Sequence, residues 1–129
     1  MRTTRNRRAL FSAIALLAAC APGKHHNATS IAPAADVYVT VSNQNWLDVD
    51  VYAVRGGSRL RIGQVTGSGS ARLKIPASAI VAGQVQLMAD PIGSNERYVT
   101  EVMSVAPDQR VQLTVASAMR MSSSWVIRR

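Results

Sequence analysis

Few side chains in this chain of 129 residues belong to the types that carry out acid–base or nucleophilic chemistry. It has one cysteine, Cys20, and two histidines, which are adjacent at His25 and His26. Adjacent side chains in an extended segment diverge, so this pair does not supply the three or four converging ligands of a metal site. Because no histidine follows His26, the rest of the chain lacks the base of a Ser-His-Asp or Cys-His arrangement. The sequence therefore predicts that the protein is not an enzyme and uses no metal or cofactor.

Two carboxylates stand two positions apart at Asp48 and Asp50. On a strand this spacing puts both on one face, roughly 6.5–7 Å apart. Calcium takes six to eight oxygen ligands, and no further acidic residues cluster nearby. We interpret the pair as part of a solvated face, with a weak calcium site or a catalytic carboxylate pair as the alternatives.

Basic residues recur at the outward positions of two consecutive predicted strands and at the turn before them. They are Arg55, Arg59, Arg61, Arg72 and Lys74. If the two strands are neighbours, these residues form one basic binding face for an anionic lipid, an acidic glycan or an acidic envelope protein. The alternative is a solvated face whose charges protect a sheet edge from aggregation. Nucleic acid is disfavoured as a partner because aromatic residues make up only 5% of the chain.

The N-terminus has the pattern of an export signal. Residues 2–8 are rich in arginine, and residues 9–19 form an apolar run broken only by Ser12. At about 1.5 Å per residue, a helix of that length is too short for the roughly 30 Å hydrocarbon core of a bilayer. The pattern therefore predicts that residues 1–19 are a signal peptide, which is removed.

The end of this signal carries a specific motif, Leu17-Ala18-Ala19-Cys20. It resembles the lipobox of bacterial lipoproteins at all four positions. The resemblance implies cleavage between Ala19 and Cys20 and a diacylglyceryl group on the Cys20 sulfur, which anchors the protein in a membrane. The residue after Cys20 is Ala21. In the lipoproteins of bacteria with two membranes, an aspartate at this position resembles a signal for retention in the inner membrane, and this chain does not have it. The expected location is therefore the bacterial cell envelope, at the outer membrane and facing the periplasm.

Residues 20–35 are predicted to be the lipidated cysteine and a flexible tether, which covers residues 21–35. This segment is small, polar and interrupted by proline, with no period of two or 3.6. Fifteen residues span at most about 50 Å. Since Cys20 is the sole cysteine, the domain beyond the tether has no internal disulfide.

Residues 36–116 alternate between apolar and polar residues in about seven short segments. Val37, Val39 and Val41 begin the pattern, and turn residues such as Gly56-Gly57 separate the segments. This period of two predicts an all-β domain, a small antiparallel sandwich of two sheets. The layout resembles small immunoglobulin-like or transthyretin-like domains of envelope proteins, a resemblance that implies no activity.

The Gly56-Gly57 pair predicts a two-residue hairpin turn with Arg55 opposite Ser58. In that register Ala53 faces Leu60 and Val51 faces Ile62 on the apolar side. Tyr52 faces Arg61 on the wet side, where ring and guanidinium can stack. Arg59 and Arg61 then point outward. A bulge at about Gly63 is needed to return Val65 to the core.

Residues 117–129 leave three alternatives open: a C-terminal strand or docked segment, a disordered tail, or a peptide that binds a partner.

Together, the signal, the lipobox and the predicted sandwich indicate a non-enzymatic, membrane-anchored envelope lipoprotein that binds or scaffolds another envelope component. The alternative is an accessory lipoprotein subunit of an envelope or secretion machine.

Overall fold

A computed structural model describes residues 36–128. The predicted signal peptide, the Ala19–Cys20 cleavage site and the tether lie outside the described residues. Nine strands are present within the described range: β1 Val37–Asn43, β2 Val49–Arg55, β3 Ser58–Val65, β4 Ser70–Ile75, β5 Gln84–Pro91, β6 Tyr98–Val99, β7 Met103–Ser104, β8 Arg110–Val115 and β9 Ser123–Ile127. Two single turns of 3₁₀ helix lie at Ala77–Ala79 and Met119–Met121, the first within the connection between β4 and β5. In this range no helix is long and apolar enough to cross a bilayer.

The strands form two packed sheets, so the predicted β-sandwich is confirmed. The first sheet has the order β4-β1-β8-β9, and the second has the order β3-β2-β5-β6 with β7 also paired to β5. Pairing is antiparallel except between β1 and β8, which run parallel. That one parallel pair corrects the prediction of a fully antiparallel sandwich. The parallel pair is possible because the chain between the two strands, from β2 to β7, is long enough to bring the start of β8 back to the end of the sheet where β1 begins.

The core comes from the alternate residues that the sequence pattern identifies. Strands β1, β2 and β8 turn every second side chain inward, which buries apolar surface worth roughly 25 cal/mol per Å². In β3, by contrast, Leu60 was predicted on the apolar side but is 46% exposed. The fully buried side chains include Val39 and Val41 of β1, Val49 and Val51 of β2, Leu87 of β5, and Val111, Leu113 and Val115 of β8. The other face of each sheet is left to solvent.

The alternating residues 98–105 do not form one continuous strand, because they are divided into β6 and β7 around Thr100. This side chain is buried, and its hydroxyl accepts a hydrogen bond from the Leu87 N–H at 3.0 Å and donates to the Glu101 carbonyl at 2.7 Å. Glu101 and Val102 are then both exposed, so the alternation changes phase. Val99 is therefore exposed although Met103 is buried, and Tyr98 packs against the core.

The β2–β3 hairpin has the predicted register at its turn. Arg55 pairs with Ser58, Ala53 with Leu60 and Tyr52 with Arg61, and both turn glycines have positive φ. The bulge occurs one residue earlier than predicted, so Val51 pairs with Gly63 rather than Ile62. A Cβ at Gly63 would lie 2.6 Å from Leu73 Cδ2. The first sheet fills that space, which explains why the inward position holds the glycine.

The register also defines the two ends of the sandwich. The entry end holds Asp36, the 55–58 hairpin and the Ala77–Ala79 turn, because β1 starts there and β2 and β4 finish there. The far end holds the loops 44–48, 66–69, 92–97 and 116–122. C-terminal residues 123–127 belong to the sandwich as β9, which is the first of the three alternatives for this segment and extends the domain beyond residue 116.

Candidate functional site

The five predicted basic residues do not form one surface. Arg59 and Arg61 lie on β3, at the edge of the second sheet, whereas Arg72 and Lys74 lie on β4, at the edge of the first. The 66–69 loop carries the chain from one sheet to the other, so β3 and β4 are not hydrogen-bonded neighbours. Their outward side chains consequently cover opposite faces of the sandwich.

The residues on the second sheet are engaged by neighbours within the domain. Arg61 lies outward as predicted and donates hydrogen bonds to Asp50 Oδ1 at 2.6 and 3.0 Å. This bonding to a carboxylate raises the pKa of Arg61 above its ordinary value. The Tyr52 ring is contacted by Arg59, at 5.9 Å from its centroid, rather than by Arg61 as predicted. Arg55 donates to the Ser78 carbonyl at 3.0 Å, so its head group is held at the entry end.

The two carboxylates at Asp48 and Asp50 each have a local partner. Asp50 pairs with Arg61, and Asp48 accepts the Gly67 N–H at 2.9 Å. Across residues 36–128, no three His, Cys, Asp or Glu side chains come together as a metal site would require. Both carboxylates thus serve to hold the β2–β3 region and the 66–69 loop.

The outer face of the first sheet gathers a different set of basic and aromatic residues. Cross-strand pairing aligns Lys74, Tyr38, Arg110 and Ile127 in one row and Arg72, Thr40, Gln112 and Trp125 in the next. A third row consists of serines and one threonine. We call these two mixed rows the basic face, since no strand of the first sheet contains an acidic residue.

Two of the cations on the basic face are organised by contacts. The Arg72 guanidinium lies 4.1 Å from the centroid of the Tyr38 ring, a cation–π distance. Lys74 Nζ lies 2.8 Å from Asp36 Oδ2, which raises the pKa of Lys74. Asp108 lies beside Arg72 and Arg110 at the entry end. Within residues 36–128 neither Arg72 nor Arg110 forms a salt bridge, so these are the charges of the basic face that a ligand can reach, with the indole of Trp125, 48% exposed, in the same surface.

Arg110 and Trp125 were not among the predicted site residues. The signal for Arg110 was present, because it alternates with buried Val111 and must point outward. Trp125 belongs to the apolar triplet Trp125-Val126-Ile127, a composition that by itself suggests a buried segment. In a strand only every second residue of such a triplet points inward, here Val126.

A second feature lies at the far end, where a fixed loop presents Trp46. Its side chain is 79% exposed, although Asn45 on the same loop and Asn43, the last residue of β1, are buried. The Asn43 amide donates to the carbonyls of Leu47 and Thr66, and its oxygen accepts the Asn45 N–H. These bonds fix the backbone beneath an indole that few other residues cover.

The Trp46 loop is also held from both sides. Asn45 Nδ2 donates to the Ser117 carbonyl at 3.2 Å, and Ser117 Oγ donates to the Gln44 carbonyl at 2.7 Å. A Cβ at Gly67 would clash with the Trp46 carbonyl, so the 66–69 loop packs directly against this backbone. Hydrogen bonds and close packing thus hold the loop backbone on both sides of Trp46.

No family model matches this chain, and a search of curated proteins finds no match either. Its function is therefore inferred from the two surfaces above and from the N-terminal sequence. The basic face has the chemistry to hold phosphate or carboxylate groups. The Trp46 loop has the chemistry to enter an apolar pocket of another protein.

Proposed function

We propose that the protein is a non-enzymatic lipoprotein of the bacterial cell envelope. It is anchored through a lipid on Cys20, at the outer membrane and facing the periplasm, and its sandwich binds anionic lipid headgroups through the basic face. The observation that carries this proposal is the pair of rows that places Arg72 and Arg110 on one outward face with the half-exposed Trp125 and Ile127, on a sheet whose strands contain no acidic residue.

The chemistry of the basic face suits a membrane surface. Guanidinium groups make bidentate hydrogen bonds to phosphate, and an indole favours the headgroup level of a bilayer. Arg72 and Arg110 supply the first, and Trp125 with Ile127 supplies the second. Lys74, Arg110 and Ile127 lie in the row nearest the entry end, where Asp36 connects the sandwich to the preceding residues. The tether and the face are thus compatible with one membrane.

A non-enzymatic role is supported by the residue types of the described domain. Residues 36–128 contain neither histidine nor cysteine. Every buried side-chain nitrogen or oxygen in that range has a hydrogen-bond partner, so none of them is an unpaired polar group that a substrate could bind. The proposal accordingly includes no cofactor and no nucleic acid.

Neutralising Arg72 and Arg110 together should weaken binding to anionic vesicles about thirtyfold. Each basic residue near an anionic surface contributes about 1 kcal/mol, and the two losses combine to about 2 kcal/mol. Residues 36–129 carrying Arg72→Gln and Arg110→Gln would be compared with the unchanged domain by sedimentation with phosphatidylglycerol vesicles. Binding of both proteins to phosphatidylcholine vesicles and to a soluble acidic glycan would be measured as well.

The matched control is Arg59→Gln with Arg97→Gln, which removes the same charge from positions outside the first sheet. Its affinity should change less than threefold, because a specific face rather than net charge is responsible. Equal losses in both double variants would contradict the assignment of the face. Tight binding to the acidic glycan with none to vesicles would replace the lipid with a glycan ligand.

A second candidate is an accessory subunit of an envelope or secretion machine, favoured by the Trp46 loop. Tryptophan is enriched among the residues that dominate protein interfaces, and a preorganised loop lowers the entropic cost of binding. A photo-crosslinking residue at position 46 should then yield one discrete protein adduct in cells, whereas the same probe at Arg59 should not. The absence of an adduct at position 46 would leave the lipid-binding function alone.

A further inference from the structure

The exposed edges of the two sheets are protected unequally. An edge strand presents unpaired backbone N–H and C=O groups, and natural proteins block pairing there with charge, proline, bulges or very short strands. On one side of the sandwich, β3 carries Arg59, Arg61 and the bulge at Ile62. On the same side, β4 carries Arg72 and Lys74 and is followed by Pro76. Both of these edges are guarded.

The opposite side has one guarded and one open edge. There β6 and β7 have only two residues each and are separated around Thr100. The first sheet ends in β9, whose five residues Ser123-Ser124-Trp125-Val126-Ile127 contain no charge, no proline and no bulge. Its strand pairing is with β8 alone, and within residues 36–128 no segment pairs with its other edge. β9 is therefore the edge open to a further strand.

We propose that β9 is a dimerisation edge, at which two copies of this chain pair their β9 strands antiparallel about a two-fold axis through Trp125. When two copies of one strand pair antiparallel, the numbers of each pair of opposite residues add to the same sum. That sum must be even if inward residues are to lie opposite inward residues, because odd and even positions of a strand point to opposite faces. The axis at Trp125 is the one choice that pairs all five residues of β9. The two four-stranded sheets then become one continuous sheet.

The residues of β9 are self-complementary in this register. Trp125 lies opposite Trp125 of the second copy, and Ser123 lies opposite Ile127 of the second copy. Both pairs are on the outer face, where Trp125 is 48% and Ile127 43% exposed in the single chain. Aromatic cross-strand pairs stabilise antiparallel sheets by roughly 0.2–1 kcal/mol, and offset indoles can stack. No like charges meet, because Arg128 lies opposite Ser122 of the second copy.

The dimer also extends the basic face. The row of Arg72, Thr40, Gln112 and Trp125 continues into the same row of the second copy, with the two indoles at its centre. A five-residue strand is about 17 Å long, which makes an interface smaller than the roughly 800 Å² per partner of a standard complex. The pairing is accordingly weak in dilute solution and depends on the high local concentration of chains anchored in one membrane.

Cysteine cross-linking in membranes tests this register with the full chain. Trp125→Cys should form a disulfide-linked dimer on mild oxidation, because the two residues at position 125 are directly opposite each other. The matched control is Ser123→Cys, whose two copies lie roughly 13 Å apart in this register and cannot form a bridge. The unchanged chain is the second control, since a dimer there would report a free thiol on Cys20 and count against lipidation rather than against the edge.

A further pair of variants retains Trp125. Chains with Ser123→Cys and chains with Ile127→Cys, produced in the same cell, should cross-link to each other and not to themselves. Self-cross-linking of Ser123→Cys as readily as Trp125→Cys would show random collision and overturn the proposal. So would the absence of any cross-link through positions 123, 125 and 127.

Discussion

Replacing Asn43 with alanine is expected to lower the free energy of unfolding by about 3 kcal/mol. Asn43 is 2% exposed, and its amide nitrogen lies 2.8 Å from the Leu47 carbonyl and 3.0 Å from that of Thr66. Its side-chain oxygen accepts the Asn45 N–H at 3.0 Å. Each buried group left without a partner costs about 1–3 kcal/mol. Because several groups lose their partner at once, the sum exceeds that of a typical substitution.

The matched control for this prediction is Gln44→Ala. The Gln44 side chain is exposed, and the residue contributes to the loop through its backbone. Its N–H donates to the Val115 carbonyl, and its carbonyl accepts a hydrogen bond from the Ser117 hydroxyl. Its replacement should change stability by less than about 0.5 kcal/mol. Urea denaturation of residues 36–129 measures both variants. A loss below about 1 kcal/mol for Asn43→Ala would mean that water replaces its hydrogen bonds and that the Trp46 loop is not held as described.

Local patterns were enough to predict the class of fold and the register of one hairpin at its turn. The period of two in β1 and β2 identifies the buried residues, because a strand with one wet face has no other way to place them. Gly56-Gly57 determines the turn, and the turn determines the pairing of Ala53 with Leu60. These features depend on residues close together in sequence.

The pairing between distant strands could not be predicted in this way. The parallel pairing of β1 with β8 depends on partner choice over the whole chain, and alternation in either strand is the same for parallel and antiparallel neighbours. The change of sheet between β3 and β4 also depends on partner choice over the whole chain. It is the reason that Arg59 and Arg72, close in sequence, lie on opposite faces.

Single side chains account for the remaining differences. Thr100 interrupts a strand pattern by bonding to the neighbouring backbone, whereas Thr40 within β1 leaves the alternation intact. Gly63 shifts the bulge because Leu73 of the other sheet occupies the space beside it. Both effects arise from packing partners that the sequence does not identify.

Loss of Cys20 is expected to have the largest effect on the protein in the cell, since the proposed function requires anchoring in a membrane. The diacylglyceryl group provides about 0.8 kcal/mol for each buried CH₂, far more than the basic face alone. Cys20→Ser should remove the lipid adduct completely. The neighbouring change Ala21→Ser leaves the Leu17–Cys20 motif intact and should retain it.

The most direct measurement is the intact mass and N-terminal residue of the protein recovered from the membrane fraction. A chain that begins at Cys20 and carries a diacylglyceryl adduct on that residue is the predicted result. A mature N-terminus at any other position, or an unmodified Cys20 thiol, would contradict the account.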